Sequence, residues 1–132
     1  PCFYYGTELE LGGGPDPDCR RVMPWDRVSD SNEMLHFMKK LIQLRKDVSD
    51  IIQHGSYSLK EIKTDVVSLA WDYDGQKIQA IFNQSSENYL VDRDSVALAS
   101  HCQELEQQLM ILPKGFVIFY SGEIKSEKKI LV

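Results

Sequence analysis

The chain has 132 residues, of which 42% are hydrophobic and 27% are charged. This size and composition fit one globular domain, or one small domain plus an appendage. The formal charge of −5 argues against nucleic acid as a partner, because nucleic-acid binding depends on clustered Lys and Arg side chains. No apolar run reaches the ~20 residues that a membrane helix needs, so we expect no membrane partner.

The first residues and the cysteines indicate the cellular compartment. The segment PCFYYG lacks the basic leader and cleavage pattern of a signal peptide, so we expect a cytoplasmic protein. Cys2, Cys19 and Cys102 are odd in number and widely spaced, which favours reduced thiols over a disulfide framework or a zinc site. The chain begins with Pro, so either a Met was removed or the chain is a piece of a longer protein.

The N-terminal segment predicts a strand followed by a long loop. Residues 1–6 have no polar alternation, which is typical of a parallel strand buried on both faces. Nothing else in the chain resembles the βα repeats that would supply such a sheet, so this strand lacks a neighbour. Residues 7–28 contain Gly12, Gly13, Gly14 and two prolines, and we expect them to form a loop.

The clearest helix is predicted over residues 30–48. Apolar residues recur there at helical spacing, in a stripe wide enough to contact two neighbouring elements. Ser29, Asp30 or Ser31 is expected to cap the helix. Arg45 falls inside the apolar stripe, so we expect it to pair with a carboxylate or with backbone carbonyls.

The sequence after Gly55 changes to period two, and its best segment is DVVSLAWDYDGQKIQAIFN, residues 65–83. The pair Asp74-Gly75 is a strong two-residue hairpin signal. Folding the chain at this turn places Trp71 opposite Ile78, and we expect Trp71 to pack in the core.

Further short strands are predicted along the rest of the chain. Pro113-Lys114-Gly115 is a second hairpin signal between the last two of them. The pattern predicts a mainly β fold, with an antiparallel β-sandwich of Greek-key type that follows the strand, loop and helix. We expect the domain boundary near residue 50, with residues 1–50 and 51–132 on its two sides. The further strands are expected at residues 57–62, 89–91, 96–99, 109–112 and 116–120.

Two kinds of site are disfavoured. The glycine run could cradle a phosphate, but the Lys and Ser/Thr of a P-loop are absent and no helix begins where that motif needs one. A metal site would have to combine hard and soft ligands at no known spacing, so we expect no metal and no cofactor. The candidate metal ligands are Asp16, Asp18, Cys19 and His36.

The loop carboxylates raise the question of glycoside hydrolysis, which needs two carboxylates on either side of the sugar bond. Glu8, Glu10, Asp16 and Asp18 qualify by type only. A catalytic acid also needs a desolvating wall around it, and one loop cannot build that wall. We therefore interpret these four carboxylates as loop residues that bind a ligand or are solvated by water, and not as catalytic groups.

Asp16 and Arg20 form the most informative pair. A carboxylate and a guanidinium four residues apart offer acceptors and forked donors to sugar hydroxyls. The alternative is an internal salt bridge that only holds the shape of the loop. The two interpretations are compatible, because shaping the loop also shapes a pocket.

A family resemblance draws these features together. The segment PCFYYGTELELGGGPDPDCRRVMPWD, residues 1–26, followed by FMKKLIQLRKD, residues 37–47, resembles the end of the catalytic barrel in the alpha-amylase superfamily. The resemblance is to the neopullulanase, maltogenic amylase and cyclomaltodextrinase group of glycoside hydrolase family thirteen. It implies that the first 50 residues are the last strand, substrate loop and last helix of a (β/α)8 barrel, and that an antiparallel β-domain follows.

The resemblance also implies an activity, namely retaining cleavage of alpha-1,4 and in some relatives alpha-1,6 glucan bonds, with alpha-glucan or maltooligosaccharide as substrate. Asp16 and Arg20 match the DPxxR element, which lines the sugar-binding cleft in this family. The family's catalytic carboxylates belong to earlier barrel strands whose motifs do not occur here, so no catalytic residue is assigned. Thr7 and Val22 depart from the Asp and Pro that are usual in the family motif.

Two functional hypotheses follow. The first is that the chain is the structural C-terminal portion of an alpha-glucan-cleaving enzyme and is inactive alone. The second is a free-standing carbohydrate-binding β-sandwich module, which an exposed row of aromatic side chains would support. The apolar faces of residues 1–6 and 34–48 also predict self-association, because large bare apolar patches rarely stay exposed.

Overall fold

The computed structural model describes residues 2–122 and the backbone of residues 130–131. The chain forms two compact units, Pro1–Gln43 and Leu44–Val132. The domain boundary near residue 50 stays a prediction. Within the described ranges, no helix combines the length and the apolar character that crossing a membrane requires.

The N-terminal unit contains turns in place of the predicted strand. Residues 2–6 form no strand, so that prediction is wrong for this structure. No described strand pairs with this segment, and its backbone therefore bonds locally, as when the Thr7 amide donates to the Tyr4 carbonyl at 3.3 Å. The loop that follows contains three short 3-10 turns, at Thr7–Leu9, Asp18–Arg20 and Trp25–Arg27.

The predicted helix is present as α1, Glu33–Asp47, and is followed by a short helix α2, Ser49–His54. The predicted caps are wrong. Asn32 caps α1, since its Oδ1 accepts from the Leu35 amide at 2.8 Å. The hydroxyls of Ser29 and Ser31 lie 2.9 Å apart and bond to each other, which takes them away from the helix terminus.

Arg45 is half-buried, as its place in the apolar stripe predicts. The predicted partner is not found, since no carboxylate or carbonyl of the described residues pairs with its guanidinium. The long side chain can reach solvent past its apolar stem, which removes the need for a buried partner.

The second unit confirms the predicted antiparallel β fold. All pairs are antiparallel except β5 with β7. The strand order along the sheet is β1-β2-β3-β6-β5-β7, and β4 pairs with β6 off this path. The strands are β1 (Ser56–Lys63), β2 (Val66–Tyr73), β3 (Gln76–Asn83), β4 (Tyr89–Asp92), β5 (Val96–Glu104), β6 (Gln108–Ser121) and β7 (Ile130–Leu131).

The β2–β3 hairpin is confirmed in its register, with Trp71 opposite Ile78. The turn residues Asp74 and Gly75 have φ of 48° and 74°. Both values lie in the left-handed region that the tight hairpin turns with two central residues require.

The predicted hairpin at residues 113–115 is wrong. Strand β6 runs through this segment without reversing, and β5 stays beside it on both sides of the bend. Lys114 has a φ of 63°, and the register of β5 shifts between Ser100 and Cys102. Gly115 lies so close to β5 that an added Cβ would stand 2.5 Å from the His101 carbonyl oxygen. The Pro-Lys-Gly signal therefore marks a bulge that bends a strand.

The bend gives the sheet two layers. The first part of β6 pairs with β4 and the second part with β3. One core cluster joins side chains from both parts of β6, so the two layers face each other across it. The buried members of this core are Val66, Ile81, Ala99, Leu109, Ile111, Val117 and Phe119.

Trp71 is not a member of this cluster, and on its own face of the hairpin it lies opposite Ile78, which is only 5% exposed. The buried face of β2 carries Val66, Ser68 and Ala70, so Trp71 lies on the opposite face. It is half-buried there, with its ring centroid 5.0 Å from that of Tyr57. Both faces of β2 carry apolar residues, so alternation alone left the inner face undecided.

Candidate functional site

The loop of residues 6–28 is anchored by Leu9, which is buried although its neighbours are not. Gly6 has a φ of 83°, and its carbonyl accepts from the amides of Leu9 and Leu11 at 3.0 and 2.9 Å. The Arg27 guanidinium donates to the carbonyls of Leu9 and Glu10, both at 3.2 Å. These contacts join the two ends of the loop.

A second brace lies in the middle of the loop. The Arg21 guanidinium donates to both oxygens of the Asp18 carboxylate at 2.7 Å. Asp18 also accepts from the Gly14 amide at 2.8 Å. The hydrogen bond from Arg21 is the main cause that lowers the pKa of Asp18 below its usual value. The Tyr5 hydroxyl donates to the Arg21 carbonyl at 2.8 Å, which ties the brace to the N-terminal segment.

Asp16 and Arg20 are brought together as the sequence predicts. Arg20 Nε lies 2.8 Å from Asp16 Oδ1, and Arg20 Nη2 donates to Asp16 Oδ2 at 3.2 Å. This forked contact is open to water, since the two side chains are 69% and 61% exposed. The salt bridge of the alternative interpretation is therefore present. The guanidinium N–H groups and carboxylate lone pairs that the fork leaves unused are available to a polar ligand.

One other candidate residue joins this contact, since the Cys19 thiol donates to Asp16 Oδ1 at 3.6 Å. Asp16 and Asp18 engage separate guanidinium groups, and Glu10 is exposed. The ring of His36 bonds to the Asp30 carbonyl at 2.7 Å. In residues 2–122, no three His, Cys, Asp or Glu side chains are grouped as metal ligands.

The glycine run has a packing role. An added Cβ on Gly13 would stand 3.0 Å from the Cys19 Cα, so this backbone packs against the turn that carries Arg20. A larger residue at this position would require the turn to move by a few tenths of an ångström.

Sequence reasoning missed the braces that hold this loop. The spacing of Asp18 and Arg21, three residues apart, is a signal that could have identified the first brace. No local signal identifies the contact of Arg27 with Leu9, which spans 18 residues.

Comparisons with known proteins agree with the quoted motifs. No family model matches the chain. The intracellular maltogenic amylase of Bacillus subtilis (strain 168) is 39% identical over 88 residues, which cover 65% of this chain and 15% of the relative. The cyclomaltodextrinase of Thermoanaerobacter pseudethanolicus is 32% identical over 91 residues, which cover 69% of this chain and 16% of the relative.

The fold comparison agrees with the sequence comparison. A crystal structure of maltogenic amylase from S. marinus matches 94% of this chain and 17% of its own, with a TM-score of 0.73 and 28% identity. The chain thus spans about one sixth of the length of the proteins that it matches. The chain belongs to the alpha-amylase superfamily, as a C-terminal part of the neopullulanase, maltogenic amylase and cyclomaltodextrinase group.

Proposed function

We propose that the whole protein is a retaining glycoside hydrolase that cleaves alpha-1,4 bonds, and in the broader case alpha-1,6 bonds, of alpha-glucans and maltooligosaccharides. The names of the relatives, maltogenic amylase and cyclomaltodextrinase, support this activity. In the retaining route a carboxylate nucleophile forms a glycosyl-enzyme, which water then hydrolyses. The nucleophile and the acid/base belong to barrel strands outside these 132 residues, so the chain alone is inactive.

Within that enzyme, residues 1–50 complete the catalytic barrel and residues 51–132 form the C-terminal β-domain. The β-domain has a structural role. The enzyme works in the cytoplasm, and the relative that is named intracellular supports this location.

The role of Asp16 and Arg20 is to hold substrate in the cleft. The observation that carries this proposal is the forked contact at 2.8 and 3.2 Å, open to solvent at the surface of a braced loop. Carboxylates and guanidinium groups form strong charge-assisted hydrogen bonds, so the pair can position sugar hydroxyls without taking part in bond cleavage.

A chimaeric enzyme tests this role. The chain replaces the matched segment of the Bacillus subtilis maltogenic amylase, and turnover of maltooligosaccharides is measured. We expect Asp16→Asn to lower kcat/KM about 10- to 100-fold, because each lost charged hydrogen bond costs roughly 1.5–3 kcal/mol. The matched control Asp30→Asn changes a nearby exposed carboxylate and leaves kcat/KM unchanged.

The same preparation separates the outcomes. The isolated 132-residue chain shows no turnover if the catalytic carboxylates lie elsewhere, and sustained turnover by pure chain contradicts this assignment. An active chimaera in which Asp16→Asn and Asp30→Asn behave alike refutes the substrate role of the pair and leaves the family activity standing.

A carbohydrate-binding module is the second candidate, and one observation favours it. Trp71 is half-buried beside Tyr57, which is 55% exposed, so two neighbouring aromatic rings lie at the exposed edge of the sheet. The apolar surface of a sugar can stack on the face of an aromatic ring while the polar atoms of the ring remain in contact with water.

Tryptophan fluorescence decides between the candidates. The chain has two Trp residues, so Trp25→Phe leaves Trp71 as the single reporter. A saturable change on titration with maltoheptaose supports the module. Fluorescence that stays constant up to millimolar maltoheptaose supports the structural role instead, with activity confined to the whole enzyme.

A further inference from the structure

Cys19 occupies the middle of the short turn Asp18–Arg20, next to the pair that is proposed to hold substrate. Its thiol is a weak donor, and it donates to Asp16 Oδ1 at 3.6 Å. The same oxygen lies 2.8 Å from Arg20 Nε. Two donors from the loop itself therefore converge on one oxygen of the Asp16 carboxylate.

The two oxygens of Asp16 differ in what they can still accept. A carboxylate oxygen offers about two lone-pair sites, so Cys19 and Arg20 together fill those of Oδ1. Among the described residues, Oδ2 accepts only from Arg20 Nη2, at 3.2 Å, and one of its sites is left. The guanidinium has five N–H groups and the fork uses two, so unused donors adjoin this site. A sugar hydroxyl, which donates and accepts, fits beside Oδ2.

The backbone that carries Cys19 is held in place within the loop. Gly13 lies so close that an added Cβ would stand 3.0 Å from the Cys19 Cα. On the other side, the Arg20 amide donates to the Pro17 carbonyl at 3.0 Å. A cysteine has a single torsion before its sulfur, so the thiol extends from a fixed origin and loses little conformational entropy on contact.

Without this thiol, the carboxylate would depend on Arg20 alone. The Arg20 side chain is long and 69% exposed, and Asp16 is 61% exposed. An ion pair that is open to water gains little free energy, because holding two mobile side chains in one geometry costs entropy. The fork is therefore a weak restraint on the direction of the two oxygens, and the short contact arm of Cys19 adds the second one.

We infer that Cys19 is a positioning residue, whose thiol holds Asp16 Oδ1 and so makes Oδ2 the oxygen that accepts from a sugar hydroxyl. The inference rests on the substrate role proposed above for Asp16 and Arg20. Cys19 acts through Asp16 and takes no part in bond cleavage, so its contribution belongs to substrate binding.

The chimaeric enzyme tests this role through the separate effects on KM and kcat for maltooligosaccharides. We expect Cys19→Ala to raise KM about 2- to 10-fold with kcat unchanged, because it removes one hydrogen bond that supports binding. Cys19→Ser should recover most of the loss, because a hydroxyl is also a donor. The matched control Cys102→Ala removes a thiol that donates to the Ser100 and Phe116 carbonyls outside the loop, and it leaves KM unchanged.

A double-mutant cycle separates this inference from the proposed function. If the thiol acts through Asp16, Cys19→Ala has no further effect on KM in an enzyme that already carries Asp16→Ala. An unchanged KM in Cys19→Ala, a Cys19→Ser enzyme as impaired as Cys19→Ala, or additive effects in the double variant overturns the inference. In each of these cases a raised KM of Asp16→Ala still upholds the substrate role of the pair. An Asp16→Ala enzyme with the KM and kcat of the unaltered chimaera refutes that role, and the inference fails with it.

Discussion

At the scale of single residues, Asn83 shows how one buried polar group holds several segments. Its side chain is fully buried, and its Nδ2 donates to the carbonyls of Glu87, Ile111 and Leu112 at 2.7, 3.0 and 3.2 Å. Its Oδ1 accepts from the Ser85 amide and hydroxyl at 3.1 and 2.6 Å. One amide thus joins the end of β3, the following loop and the bend of β6.

We expect Asn83→Ala to lower the free energy of unfolding by about 2–4 kcal/mol, because it leaves buried backbone acceptors without donors. Urea denaturation followed by circular dichroism measures the change. Asn88→Ala is the matched control, since Asn88 is exposed in the same loop, and its effect should stay within about 0.5 kcal/mol. Equal midpoints for the two variants would show that the amide contacts contribute nothing.

The contact between Asp18 and Arg21 should depend on pH, which is also a prediction about single residues. Because Arg21 holds the pKa of Asp18 below its ordinary value of 3.8, the brace is intact above that pH and is lost as the pH falls through the lower, folded-state pKa. The Gly14 amide donates to Asp18, so its NMR chemical shift should titrate with a midpoint below 3.8.

Arg21→Gln should raise that midpoint, because it removes the first cause of the low pKa. Arg20→Gln removes the guanidinium that pairs with Asp16 and should leave the Gly14 midpoint unchanged. A midpoint that is the same in Arg21→Gln and in the unaltered chain would contradict the brace.

At the scale of elements, the β2–β3 hairpin is set by its turn. Asp74 tolerates the left-handed region and Gly75 occupies it at no steric cost. The turn therefore fixes which residues of the two strands face each other, independently of which face becomes the core.

We expect Gly75→Ala to destabilise the chain by roughly 1 kcal/mol through its backbone conformation alone. No atom lies within 4 Å of the position that an added Cβ would occupy, so steric overlap contributes nothing. Gly75→Asn should cost less, because Asn populates the left-handed region more readily. Thermal unfolding of the three proteins checks this order, and a loss for Asn equal to that for Ala would contradict the backbone explanation.

At the scale of the whole molecule, the features that could be predicted are those set by residues close together in the sequence. The helix α1 and the hairpin register follow from spacing and turn residues, and the fork of Asp16 and Arg20 follows from a separation of four residues. The bend of β6 and the degree to which Trp71 is buried depend on how distant strands stack, and no local pattern carries that information. The contact between Arg27 and Leu9 could not be predicted for the same reason, because these residues are distant in the sequence.

The long strand β6 has a consequence for how the chain folds during its synthesis. The ribosome releases β1, β2 and β3 first, but β3 gains its other neighbour only when residues 116–121 have been added. At about 5–20 residues per second, the three-stranded sheet waits seconds with its inner face uncovered. We therefore expect the nascent chain to depend on chaperones during this interval, and truncation before β6 to yield insoluble protein although three complete strands are present.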